Sequence, residues 1–163
     1  TYDLEASAKV YHHTALYASN TYVDSTNKVG STLGSCSVEE SIKIYENFGV
    51  PTNKIIIGSG FYGIKQTRTS VDSSWTSAGS VSYSDIYSNY LSDTINYIYN
   101  YDSECQVPYL LSADKLTFIT YENEISVLAK CEYAKNNNLA GVFAWQYALD
   151  NGDLLKTLSE GLS

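Results

Sequence analysis

Chemistry in this chain has few places to act. Two imidazoles, His12 and His13, stand side by side, and three thiols, Cys36, Cys105 and Cys131, lie far apart. Neighbours on an extended chain point in opposite directions, so the histidine pair does not gather around one ion, and no cysteine spacing matches a metal centre. No metal and no cofactor is expected. The thiols leave two arrangements open: one disulfide with one free thiol, or three buried thiols. What remains is aromatic and polar: Tyr2 beside Asp3, Tyr62 in Gly58-Ser59-Gly60-Phe61-Tyr62-Gly63, and Trp145 closing Val142-Phe143-Ala144-Trp145. Sixteen tyrosines stand against four phenylalanines. A ring with an apolar face and a polar tip suits a wet core and suits equally a surface on which a sugar stacks. Taken singly, Tyr2 reads as an end-of-strand aromatic, Asp3 as a cap and Trp145 as core filling.

The elements that must hold these residues are legible in outline. Lys54-Ile55-Ile56-Ile57 is a run of branched apolar residues, the pattern of a strand buried on both faces in parallel sheets and barrels. It breaks into small residues and aromatics at its carboxyl end, where such folds bind ligands. Ahead of it, Ser37-Val38-Glu39-Glu40 is a capping box, and Val38, Ile42, Tyr45 and Phe48 form a helical stripe that Gly49 and Pro51 end. A second unit follows the same plan: a helix over Glu124–Asn136 with Ile125, Leu128, Ala129 and Tyr133 on one face, the asparagines 136–138, then the strand ending at Trp145. Asp153 to Leu162 predicts a closing helix. Residues 5–35 read as a long polar loop over the functional face, carrying His12, His13, Leu16 and Tyr17. From about Thr67 to Thr117 the texture changes to a Ser/Thr/Gly-rich stretch, a short helix over 83–91, and strands over 94–101, 107–111 and 116–121.

The 163 residues suit one domain with a real core. A net charge of −8 argues against nucleic acid, which calls for a basic stripe, and fits a secreted protein acting on a neutral ligand. No apolar run approaches a membrane span. The chain contains no methionine and opens abruptly on Tyr2-Asp3, as if on the tail of a strand, so a trimmed chain or a piece of a longer one is expected.

Several segments come in a familiar order. They are Tyr2-Asp3, His13 to Tyr17, Gly49-Val50-Pro51 with Lys54 to Gly58, Phe61-Tyr62-Gly63, and Tyr101-Asp102 with Val107-Pro108-Tyr109. Thr120-Tyr121-Glu122 with Ser126 and Lys130, and Gly141 to Trp145 with Asp150, complete the set. Together they resemble the C-terminal part of family 18 glycoside hydrolases, the chitinases, over almost the whole chain. The resemblance implies an α/β fold: a partial (β/α)8 TIM barrel, sixth to eighth strands, with a small α+β insertion. Residues 1–66 and 119–163 would be barrel, and 67–118 the insertion that deepens the cleft.

The chemistry so implied is substrate-assisted retention, in which the substrate's N-acetyl oxygen attacks the anomeric carbon. Tyr2 resembles the hydroxyl that positions the N-acetyl group, and Asp3 the acid that assists it. Trp145 resembles the indole floor under the reacting sugar, and Tyr62 the neighbouring cleft wall. The chain departs from the family pattern in three places. Ile64 stands where arginine is usual, and Gln146 replaces a glutamate. The Asp-x-x-Asp-x-Asp-x-Glu run that carries the proton donor is missing: Asp150 and Asp153 begin such a spacing, but leucines follow. Loss of a general acid typically removes ~10²- to 10⁴-fold of rate. The expected partners are chitin or a chitooligosaccharide, and either the N-terminal half of the barrel or a second copy, because three strands cannot close a barrel. A chitin-binding, lectin-like protein without turnover is the other class the residues allow.

Overall fold

The computed structural model describes Tyr2 and residues 10–18, 22–24, 27–28 and 37–163. Asp3 and Cys36 lie outside the described residues. In chain order the elements are β1 (Tyr22–Asp24), β2 (Asn27–Lys28), α1 (Val38–Asn47), β3 (Ile56–Gly60), β4 (Tyr62–Thr67), β5 (Thr76–Ser82) and α2 (Tyr83–Asp85). A π-helical stretch, Ile86–Leu91, extends α2; β6 (Tyr97–Asp102), β7 (Val107–Ser112), β8 (Thr117–Thr120), α3 (Glu124–Asn136), β9 (Gly141–Trp145) and α4 (Asp153–Gly161) follow.

Besides the β1–β2 pair, two sheets carry most of the described strands. β3 and β9 pair in parallel, with Gly58 opposite Phe143 and Gly60 opposite Trp145. One face of this pair carries Ile57 and Val142 into the core, where they meet Val38 and Ile42 of α1 and Val127, Cys131 and Ala134 of α3. The second sheet is antiparallel, in the order β5-β4-β8-β7-β6, and grows out of the carboxyl end of β3 through Phe61. Val10, Trp75 and Phe118 make its own small core, and the Arg68 guanidinium lies 4.5 Å over the Trp75 ring.

The helices begin where their caps dictate. Ser37 Oγ accepts from the Glu40 N–H at 3.1 Å and starts α1. Asn123 and Ser126 cap α3 reciprocally, each backbone N–H donating to the other's side chain. Gly49, at φ +83°, ends α1 in a conformation that L side chains rarely adopt.

Several sequence expectations need correcting. Segment 10–18 is not a loop over an open face: Val10 to Leu16 are buried, and the histidines are interior groups. The stretch 5–35 also contains the β1–β2 hairpin. The α1 stripe is only half buried, since Tyr45 and Phe48 face outward. On α3, Ile125 and Leu128 are exposed, and the buried side runs through Ser126, Val127, Lys130, Cys131 and Ala134. Tertiary packing has chosen a face with a lysine at its centre. The Ser/Thr/Gly-rich stretch contains β5, an edge strand held by backbone pairing to β4 despite weak strand propensity. The antiparallel sheet itself runs from Tyr62 of β4 to Thr120 of β8. Cys105 and Cys131 are both buried. Among the described residues, no helix is long and apolar enough to cross a membrane.

Candidate functional site

Partners in a parallel pair share a face, and alternate residues share it along each strand. Gly58 and Gly60 of β3 therefore lie on the same side as Phe143 and Trp145 of β9. The glycines leave room for rings. A Cβ on Gly58 would sit 2.7 Å from Tyr2 Cε1 and 3.0 Å from Phe143 Cζ, and a Cβ on Gly60 would sit 2.9 Å from Tyr62 Cε1. The Tyr2 ring meets Tyr62 edge-on at 6.0 Å between centroids, and Phe143 at 6.2 Å. Such edge-to-face pairs add about 0.5–1.5 kcal/mol each beyond the area they cover. Trp145, at the carboxyl end of β9, is 53% exposed. Phe61 N–H donates to the Trp145 carbonyl and ties the two strand ends together, and the Trp145–Gln146 peptide is cis.

Three of the four residues expected to bind sugar thus sit at the same end of the parallel pair. Tyr2 and Tyr62 touch, while Trp145 closes the strand that bears Phe143. Tyr62 is buried, its ring centroid 5.2 Å from that of His13, so it supports Tyr2 from beneath. Asp3, the fourth, lies outside the described residues. Sequence reasoning missed Phe143, although its spacing of two from Trp145 puts both on one face of a strand.

Behind the opposite face is a buried polar network that the sequence showed only as spacing. Ser59, between the two glycines, donates from Oγ to Glu122 Oε1 at 3.2 Å. The same oxygen accepts from Thr14 Oγ1 at 2.9 Å and from Lys130 Nζ, and Ser126 Oγ donates to Glu122 Oε2 at 2.5 Å. Lys130 also donates to Thr14 Oγ1. Both charged side chains are fully buried. Burial lowers the Lys130 pKa, and the Glu122 carboxylate beside it works the other way. Breaking such a pair leaves an uncompensated charge indoors, so the network fixes Ser59, and with it the end of β3, against the start of α3.

A strand pair with helices on its outer face and aromatic residues at its carboxyl ends is the repeating unit of a barrel. Residues 1–150 match the family model described as glycosyl hydrolases family 18, and the chain belongs to that family. It is 34% identical over 121 residues to a chitinase of Autographa californica nuclear polyhedrosis virus, a match covering 68% of this chain and 22% of the viral protein. Among solved structures, a glycoside hydrolase family 18 N-acetylglucosaminidase from Paenibacillus barengoltzii superposes with a TM-score of 0.80 at 31% identity, over 99% of this chain and 47% of that one. A class V chitinase from Nicotiana tobaccum, solved in complex with NAG4, shares the fold at 22% identity and a TM-score of 0.82, over 99% of this chain and 47% of its own. The fold is accordingly part of a TIM barrel with an inserted antiparallel sheet, and the chain spans less than half the length of these relatives.

Proposed function

We propose that this chain is the C-terminal portion of a chitinase that hydrolyses β-1,4-linked N-acetylglucosamine polymers by substrate-assisted retention. Residues 1–66 and 119–163 supply the sixth to eighth barrel strands, and 67–118 the insertion beside the cleft. In this role Tyr2 donates its hydroxyl to the N-acetyl group as the oxazolinium ion forms, where a fixed donor in a dry site acts most strongly. Asp3 assists that positioning. Trp145 is the floor under the reacting ring, and Tyr62 holds Tyr2 at its angle. The single observation that supports this most is the set of rings over Gly58 and Gly60, aligned with the exposed indole of Trp145.

The chain supplies positioning groups and no proton donor, because its sequence lacks the acidic run that carries one. Its natural complement is the N-terminal half of the barrel. The uncovered face of β3 and β9, with Ile56 51% and Phe143 43% exposed, is the surface such a half would cover, and a second copy of the chain is the competing occupant. The whole protein would act outside the cell, on chitin.

The test uses a fluorogenic chitobioside and chitotetraose. The isolated chain is expected to give no turnover while its tryptophan fluorescence responds to chitotetraose. Adding a barrel half that carries the acidic run should restore hydrolysis, and Tyr2→Phe should lower it by one to two orders of magnitude. Turnover by the pure chain alone would refute the division of labour. Binding with no turnover in the complemented protein would favour the second reading, a chitin-binding protein, which the missing proton donor supports.

A further inference from the structure

Away from the sugar face, three different donor types converge under the antiparallel sheet. We propose that His12 Nε2, Asp102 Oδ2 and Cys105 Sγ form a binding site for a divalent cation of zinc type, which clasps segment 10–18 to the β6–β7 hairpin. One ligand atom from each residue lies within 4.8 Å of the other two although His12 is 90 residues from Asp102. His12 Nε2 and Asp102 Oδ2 are 3.2 Å apart. That is close to the ~3.3 Å edge of a tetrahedron whose metal–ligand bonds are ~2.0 Å.

Each donor is aimed by a neighbour on its far side. Asp102 Oδ1 accepts from the N–H groups of Glu104 at 3.0 Å and Cys105 at 2.9 Å, which turns Oδ2 toward the imidazole. His12 Nδ1 is 3.3 Å from Thr120 Oγ1. A proton placed on Nδ1 and donated to that hydroxyl frees Nε2, which otherwise hydrogen-bonds Asp102 Oδ2, to ligate an ion. The Cys105 carbonyl accepts from Leu16 N–H at 2.9 Å, which pins the cysteine to the segment that carries the histidine. Outer contacts of this kind orient metal ligands, and losing one typically weakens metal binding ~10- to 100-fold.

Charge and donor type select the ion. His12 and Cys105 are fully buried and Asp102 nearly so. With a neutral imidazole and a protonated thiol the cluster holds one buried negative charge. Binding a divalent cation releases the thiol proton to solvent, and the ion, thiolate and carboxylate then sum to zero. Low-dielectric surroundings favour the neutral assembly. A nitrogen, a sulfur and an oxygen suit zinc and not calcium or magnesium, which take oxygen.

The experiment takes the 163-residue chain, strips it with a chelator, and measures Zn²⁺ uptake by equilibrium dialysis and Co²⁺ binding by absorbance. One equivalent of zinc, a thiolate-to-cobalt charge-transfer band and a rise in Tm are expected. Cys105→Ala should abolish the band and weaken zinc at least tenfold, with Cys36→Ser and Cys131→Ser retaining both. Should Cys105→Ala fail to fold, Asp102→Asn is expected to weaken zinc by a similar factor. No zinc uptake by the folded chain, or a band that survives Cys105→Ala, would overturn the site. Loss of chitotetraose binding would leave this result unaffected, because the cluster and the sugar face share no residue.

Discussion

The parallel pair and the five-stranded antiparallel sheet solve the same problem differently. The antiparallel sheet β4–β8 carries Trp75 and Phe118 into its own core, and the loops between its strands tie back through side chains such as Arg68, which donates to the carbonyls of Lys115 and Val71 at 2.8 Å. The parallel pair β3–β9 is covered by helices on one face only and shows Ile56, Phe143 and Trp145 on the other. The antiparallel sheet is packed on both faces, because Leu110 and Ile119 enter the main core on the side away from Phe118, whereas the parallel pair leaves apolar residues uncovered on one face. The difference fits the proposed sugar site on the parallel pair: a surface meant to meet both a ligand and other barrel strands would not also be sealed by its own core.

The sharpest way to break the comparison is at the joint between the regions. Lys130→Met should destabilise the chain by about 3–5 kcal/mol in a denaturant titration, because it strands the Glu122 carboxylate that also holds Ser59 and Thr14. Pairing it with Glu122→Leu should recover most of that loss. Next come two glycines, one in each region. A Cβ on Gly63 would meet the Thr120 carbonyl at 2.6 Å, backbone that cannot step aside, so Gly63→Ala should lose about 2–3 kcal/mol or more. On Gly58 the obstacles are side-chain atoms, the edge of the Tyr2 ring and the tip of the Phe143 ring, and Gly58→Ala should lose only about 1 kcal/mol while weakening chitotetraose binding. Equal losses would mean the parallel pair is as tightly packed as the antiparallel sheet. Trp145→Ala should change stability by less than about 0.5 kcal/mol, because the ring is half exposed, yet raise the chitotetraose Kd roughly tenfold. The smallest effect is alkaline. Tyr101 on β6 and Tyr133 on α3 are both pushed up to about 12, chiefly by burial. A phenol whose pKa is raised on folding contributes stability below its unfolded value near 10, and that contribution fades as pH rises from there to about 12. Tyrosinate absorbance followed alongside circular dichroism should show ionisation and unfolding together in that window.

Much of the framework was readable in the sequence because it is written in local signals. α3 spans the expected residues, since its Asn123 cap and terminal asparagines are local features, and the two parallel strands follow from apolar runs, branched in β3 and partly aromatic in β9. β5 was not legible, because Thr76 to Ser82 offers little strand preference and pairing with β4 supplies what composition lacks. Lys130 was unreadable for the opposite reason. A lysine on a helix is ordinarily placed outside, and only Thr14 and Glu122, distant in the chain or on another element, make an interior position tolerable. Of the proposed site, Tyr2, Tyr62 and Trp145 were named from resemblance alone, while the rings' dependence on Gly58 and Gly60 emerges from strand register. The grouping of His12 with Asp102 and Cys105 had no sequence signal, as its members are brought together by the sheet alone.

The strand order has a bearing on how the chain acquires its shape. β3 and β9 are direct partners, yet the entire antiparallel sheet and α3 lie between them in sequence. Bringing such distant segments together from an open coil carries a loop-closure penalty and slows folding. An inserted module that collapses early, from hairpins with mostly short connections, shortens that excursion before β9 is called on to dock. On a ribosome the order is enforced, since the inserted sheet is synthesised before Gly141 emerges.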